Sequence, residues 1–267
     1  MDYKAAYERE RKRSEKMKEL IEHLKQAFRY QSTDRLLEFY EIRKEFKDDL
    51  YSIDKVIDFA LENKSGKPVI LVDFADSANA GSTGDSSTIL QRLLEREIIP
   101  KTALIVNDSK AVELAFKVGV GNKAIFSIGG TRNPTLFKIV QAEAYIKSLH
   151  DGTFRLEGPA GRGMLNDIGR TAVITIGDID IVVCNSMVFN GDPQVYRGFG
   201  VEPTFYQMVV VKACGSFREP YGIIADRIYL TDTPGAASAN LKSLPYRKIP
   251  NTFYPFSAID DYRIKIS

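Results

Sequence analysis

Three aspartates, Asp73, Asp76 and Asp85, bracket a loop of small and hydroxylated residues running from Val72 to Ser87. Carboxylates that converge could hold a cation, a substrate ammonium group or a water molecule. The loop follows the apolar run PVILVDF and precedes a helical pattern with Ile89, Leu90, Leu93 and Leu94 on one face. In an open α/β sheet that is where ligands bind, at the carboxyl end of a strand and against a helix N-terminus. A plainer alternative stays open: Asp85 or Ser86 caps the helix, and Asp76 makes an Asx-turn. Neither common phosphate loop is present. GxGxxG is absent, and a Walker loop needs Gly-Lys-Ser/Thr where this chain has Gly84-Asp85-Ser86, whose aspartate would repel a phosphate.

Other chemistry is limited by what is scarce. The chain has 2 histidines. His23 lies in a charged helical stretch, and His150 sits in SLHDGT, which reads as a turn. A zinc site usually takes three or four His, Cys or carboxylate ligands, so a self-contained zinc site is disfavoured and no metal ligand is assigned. A Ser-His-Asp arrangement is disfavoured too, because neither histidine is near a nucleophile elbow. Ser52-Ile53-Asp54-Lys55 matches an S-x-x-K pattern whose partner motifs are missing. Cys184 and Cys214 follow apolar runs without CxxC spacing and read as reduced strand-end residues. Lys212 and Arg218 could bind a substrate carboxylate or form strand-end salt bridges.

The elements that must position these residues change character along the chain. Residues 1–62 read as a charged helical arm. Met17, Leu20, Ile21, Leu24 and Phe28 recur at helical steps, a second helix carries Leu36, Leu37, Tyr40 and Phe46, and Ser52 caps a third through Val56, Ile57, Ala60 and Leu61. Basic residues in the arm alternate with glutamates, which favours a solvated or helix-packing face. Residues 63–267 read as an α/β domain. PVILVDF, TALIVND and KAIFSIGG alternate with two helices, the second capped by Ser109 and closed by Gly119, and this predicts a parallel β-α-β-α-β core. The later segments FKIVQAEAYIKSL, TFRLEGP, TAVITIGDIDIVVCNS and QMVVVKA predict a mainly antiparallel extension. REPYGIIADRIYLTD adds a short helix and a closing strand, and residues 234–256 read as an extended surface tail.

A net charge of +2 with 27% charged residues argues against a nucleic-acid partner. No apolar run approaches the roughly 20 residues needed to span a bilayer, and MDYKAAYERERKRSEK has no apolar signal region. A cytoplasmic protein without a membrane partner is the expectation.

The loop resembles the D-x-A-D-N-P-G-G-G-x-x-G-D-S/T stretch of MlrC-like (microcystinase C type) metallopeptidases, aligned without gaps from Asp73 to Ser86. Arg155 to Gly163, Asp167 to Ala172 and Asp178 to Val182 resemble that family's glycine-punctuated strands. Lys212, Ser216, Phe217, Arg218 and Tyr221 resemble its K-S-x-x-x-F-R-x-x-Y-like element. Pro234-Gly235, Leu244 to Arg247 and Pro255-Phe256 resemble its C-terminal ending. Ser77-Ala78-Asn79-Ala80 depart from the family's N-P-G-G. The resemblance covers roughly residues 36–256 and implies the family's C-terminal domain. It also implies a zinc-type metal held by an N-terminal domain, in whose place this chain has the charged arm.

The expected role is the substrate-pocket-forming part of a metal-dependent peptidase or amide hydrolase, inactive alone. Asp73, Asp76, Ser77, Asn79, Gly81, Gly84, Asp85, Ser86 and Arg218 would bind substrate, and no catalytic residue is assigned. A separate metal-binding domain or chain is the expected partner. The alternative is a stand-alone binding or oligomerisation domain, dimerising through its N-terminal helices. A third reading has the three loop aspartates themselves holding a hard metal.

Overall fold

The computed structural model describes residues 49–186 and 190–250, with Glu15, Glu19, Glu22, Ile42, Pro255 and Phe256. The chain divides into two compact units, Leu50–Leu244 and the remainder, Met1–Asp49 with Pro245–Ser267. Glu15, Glu19 and Glu22 are helical and exposed. The apolar stripes expected over Met17 to Phe28 and Leu36 to Phe46 lie outside the described residues, as does His23.

In the larger unit the strands are β1 (Leu50–Tyr51), β2 (Val69–Val72), β3 (Thr102–Asn107), β4 (Lys123–Ile128), β5 (Val140–His150), β6 (Thr153–Arg155), β7 (Leu165–Asp167), β8 (Thr171–Ile176), β9 (Ile179–Cys184), β10 (Met208–Val211) and β11 (Arg227–Thr231). The helices are α1 (Ile53–Glu62), α2 (Thr88–Leu94), α3 (Ser109–Val118), α4 (Gln194–Arg197) and α5 (Arg218–Ile224). Nine strands form one sheet in the order β1-β11-β2-β10-β3-β9-β8-β5-β4, and β6 and β7 form a separate hairpin. Pairing is parallel from β1 through β9 and antiparallel from β9 through β4.

Two apolar layers cover the sheet. On one face Val56, Ile57 and Ala60 of α1, Ile89, Leu90 and Leu93 of α2, and Ala111, Val112 and Ala115 of α3 pack against Val69, Leu71, Leu104, Val106, Ile181 and Val210. On the other, Val195 and Tyr196 of α4 and Tyr221 of α5 join Phe154, Phe199 and Phe217 over Ile70, Val72, Ile105, Val182 and Val211. Strands covered on both faces favour apolar residues at every position, which is why β2 and β10 read as unbroken runs, while β9 carries one buried carboxylate, Asp180, hydrogen-bonded to Lys147, Thr175 and Tyr206.

The fold class expected from the sequence is the one observed, but two strands change place within it. KAIFSI does not join the parallel core; among the described residues β4 is the far edge of the sheet and pairs only with β5, antiparallel. Its alternation shows why, since Phe126 and Ile128 are buried while Lys123, Ile125 and Ser127 are exposed. Conversely, MVVV of β10 sits between β2 and β3, parallel to both and buried throughout. Ser52 caps α1 as expected, its hydroxyl accepting from Lys55 N at 3.3 Å. Asp108, not Ser109, caps α3, accepting from Lys110 N and Ala111 N and, with its other oxygen, from Gly129 N. The expected short helix and closing strand are α5 and β11. His150 ends β5 rather than lying in the turn, half-buried and 2.8 Å from Ser148 Oγ, with burial lowering its pKa. Among the described residues no helix is long and apolar enough to cross a membrane.

Candidate functional site

The carboxyl ends of the parallel strands bring together residues far apart in sequence. β2 delivers Asp73, β3 delivers Asn107, β9 leads into Asn185, and β10 delivers Lys212. The loop after β2 is folded around one buried ion pair. Lys212 Nζ lies 2.8 Å from Asp76 Oδ2, with side chains 6% and 0% exposed. The same ammonium donates to the carbonyl oxygens of Gly84 at 3.2 Å and Ser86 at 2.9 Å. Asp76 also accepts from Ser82 Oγ and Gly84 N on Oδ1, and from Ser86 N on Oδ2. A buried charge persists only when paired and hydrogen-bonded on its remaining positions, and here both partners are. Asp76 therefore does not make an Asx-turn; it reaches backbone groups eight and ten residues on, and closes the loop from within.

Asp85 points elsewhere. Its Oδ1 accepts from Thr83 Oγ1, and its Oδ2 accepts from Arg132 N at 2.7 Å and Asn133 N at 3.4 Å. Its carbonyl accepts from Gly130 N at 2.9 Å. Asp85 thus staples the loop to residues 129–133 and caps no helix. Ser87 holds the cap position of α2 without a side-chain cap bond, while Ser86 Oγ accepts from Thr88 N at 3.3 Å. The staple requires glycine at 129, where φ is +67° and a Cβ would stand 2.6 Å from the Asp85 carbonyl oxygen.

Asp73 is fully buried and accepts from Thr233 Oγ1 at 2.6 Å on Oδ1, while Oδ2 has no partner. Burial pushes its pKa up to about 6; Lys212 pulls it down and Asp76 pushes it up. The chain after β11 grips this end of the loop. Ala237 N donates to the Ala75 carbonyl at 3.0 Å, and Gly235 packs so closely that a Cβ would meet that oxygen at 2.3 Å.

The remaining expected site residues are divided. Gly84 and Ser86 are buried in the Asp76–Lys212 network, and Ser77 is buried with its hydroxyl unpartnered. Asn79 lies exposed in the single 3-10 turn Ala78–Ala80, with Gly81 exposed after it. Arg218 opens α5, its guanidinium 4.9 Å from the Phe217 ring. The sequence reading missed Lys212 as the partner of Asp76, together with Thr233, Arg132, Asn107 and Asn185. A lysine directly after an unbroken apolar strand was the available signal, but its partner is 136 residues away. Asn107 Nδ2 donates to the Thr83 carbonyl at 3.0 Å, leaving Oδ1 buried and unpartnered, and Asn185 Oδ1 is likewise unpartnered.

The reading in which the three aspartates hold a hard metal does not survive this geometry. Asp76 is taken up by Lys212 and three further donors, Asp85 faces residues 132 and 133, and Asp73 faces Thr233. Among the described residues no group of three His, Cys, Asp or Glu side chains could hold a metal ion. Both cysteines are free, and burial pushes the Cys184 thiol up to about 12, keeping it neutral.

Similarity to known proteins follows the same segments. The family model described as the MlrC C-terminus matches residues 71–248. Microcystinase C of a Sphingomonas species is 25% identical over 193 residues, covering 72% of this chain and 36% of that protein. A metallopeptidase-like protein of Mesorhizobium sp. BNC1, known from a crystal structure, superposes with a TM-score of 0.75 at 26% identity, over 86% of this chain and 45% of that one. The chain spans less than half the length of either relative. With the matched region running from the end of β2 through the loop, Lys212 and the grip of residues 233–237, this chain belongs to the MlrC C-terminal domain family.

Proposed function

We propose that this domain forms the substrate pocket of an MlrC-like metal-dependent peptidase or amide hydrolase, with the metal-binding residues supplied by a separate domain or chain. The observation that carries this reading is the loop 73–86, built rigidly by the buried Asp76–Lys212 pair at the carboxyl ends of parallel strands. Such a loop can hold a peptide in one orientation, and orientation lowers the barrier by removing motion before the reaction begins. Buried oxygens on Asp73, Ser77 and Asn107 lie on or beside it without a hydrogen-bond partner among the described residues. The described residues do not fit a zinc-type metal, since Asp76 and Asp85 are consumed by hydrogen bonds within the chain and Asp73 belongs to no group of three His, Cys, Asp or Glu side chains. No chemical step is therefore assigned to these side chains; their part is to bind and orient.

Elemental analysis of the purified chain, run beside an assay of linear-peptide hydrolysis, tests this. The chain is expected to carry no stoichiometric transition metal and to hydrolyse nothing until a metal-binding domain of a relative is added. Stoichiometric metal together with hydrolysis by the chain alone would overturn the reading.

A further inference from the structure

A cavity of about 200 Å³ opens between the segment after β6, the segment leading into α4, and α5. Two of its walls follow the carboxyl ends of β9 and β10, the side of an open sheet on which ligands are bound. Its floor is fixed by Asp192, which is 2% exposed and accepts from Glu157 N at 2.9 Å, Gly158 N at 2.6 Å and Gln194 N at 2.9 Å. That carboxylate is saturated with backbone donors and belongs to the frame. Gly158 lets the frame close, because a Cβ there would stand 3.0 Å from Asp192 Oδ2 and 3.4 Å from Pro220.

The charges around the rim are a different matter. Arg162 donates from Nε to the Glu157 carbonyl at 3.2 Å, and its terminal nitrogens form no ion pair among the described residues. The carboxylates of Glu157 and Glu219 form none either. Arg197, by contrast, is committed to Glu202 through Nε at 2.8 Å and Nη2 at 3.1 Å. One guanidinium and two carboxylates that form no close ion pair therefore line a small cavity, with Glu157 attracted at longer range by Arg197. Ile223, 74% exposed, and Ile224 add an apolar wall.

We propose that this cavity binds a free α-amino acid with an aliphatic side chain. Its carboxylate is taken by the Arg162 fork, its ammonium by Glu157 and Glu219, and its side chain by Pro220 and Ile223. Pockets for drug-sized ligands run from roughly 300 to 1,000 Å³, so this volume suits a ligand the size of one residue. The proposal does not depend on the domain taking part in hydrolysis.

Calorimetric titration of the purified chain with L-leucine, L-valine and L-methionine tests it, alongside N-acetyl-L-leucine, L-leucinamide and Leu-Leu. At least one free amino acid is expected to bind, with the acetylated and amidated forms at least ten-fold weaker than leucine. Arg162→Gln is expected to weaken leucine at least ten-fold and to abolish the difference between leucine and leucinamide. Glu157→Gln with Glu219→Gln is expected to abolish the difference between leucine and its acetylated form. These side chains lie at the rim, and an unchanged thermal midpoint would show that the variants remain folded. No binding by any of the three amino acids, equal binding of the blocked forms, or indifference to Arg162→Gln would overturn the proposal. Leu-Leu binding as tightly as leucine would replace it with a site for one end of a peptide.

Discussion

The two halves of the sheet handle charge in opposite ways. In the parallel half, from β1 through β9, both faces are covered by helices and loops, and charge is pushed to the strand ends. There Lys212 and Asp76 are buried and hydrogen-bonded on every side. In the antiparallel half one face of β4 and β5 meets solvent, and Lys123 pairs with Glu143 at 3.2 Å with both side chains 63% exposed. The same kind of ion pair is a structural keystone in one half and a surface ornament in the other. Desolvation makes the difference. An exposed pair exchanges water for a partner at almost no net gain, whereas a buried pair that loses one member leaves a charge with no water to turn to.

The sharpest way to break this comparison is to remove one cation from each half. Lys212→Met strands Asp76 in the interior and is expected to cost about 3–5 kcal/mol in urea unfolding, with part of the loss recovered by adding Asp76→Asn. A cost no larger than that of the surface variant below would sink the idea that the pair organises the loop.

A second test uses pH. Burial holds the Asp73 carboxyl at about 6 against an ordinary value of 3.8, so the folded chain keeps this proton where the unfolded chain has released it. The stability contributed by Asp73 is then present in full below pH 3.8 and is lost as pH rises through about 6. The unfolding free energy of the native chain, less that of Asp73→Asn, should fall across this window. A difference that stays flat would show an ordinary carboxyl.

The smallest effect is expected at Lys123→Ala, which should change stability by less than about 1 kcal/mol, with a cost that shrinks further in high salt. A larger loss would mean that the outer face of β4 is covered in solution.

Local signals in the sequence were legible wherever neighbouring residues decide the outcome. Ser52 before Ile53 marked a cap, and the stripe Ile89, Leu90, Leu93 and Leu94 marked the packed face of α2, of which Leu94, at the end of the helix, is exposed. The loop was found because its aspartates, glycines and serines follow a buried strand. Strand placement was less legible, because QMVVVKA and KAIFSI differ mainly in whether both faces are apolar. The chain order placed KAIFSI in the core, while the alternation of Phe126 and Ile128 with Lys123 and Ser127 pointed to an edge.

What the sequence determined by itself is the set of elements, the family resemblance that the comparisons bear out, and the loop from Asp73 to Ser86 as the polar segment needing explanation. What only the tertiary structure decided is the role of each carboxylate. Asp76 meets Lys212, Asp85 meets the backbone of Arg132, and Asp73 meets Thr233, contacts separated by 136, 47 and 160 residues. No local rule encodes such pairings, because the energy of a buried charge is set by whatever the fold places beside it once water is gone.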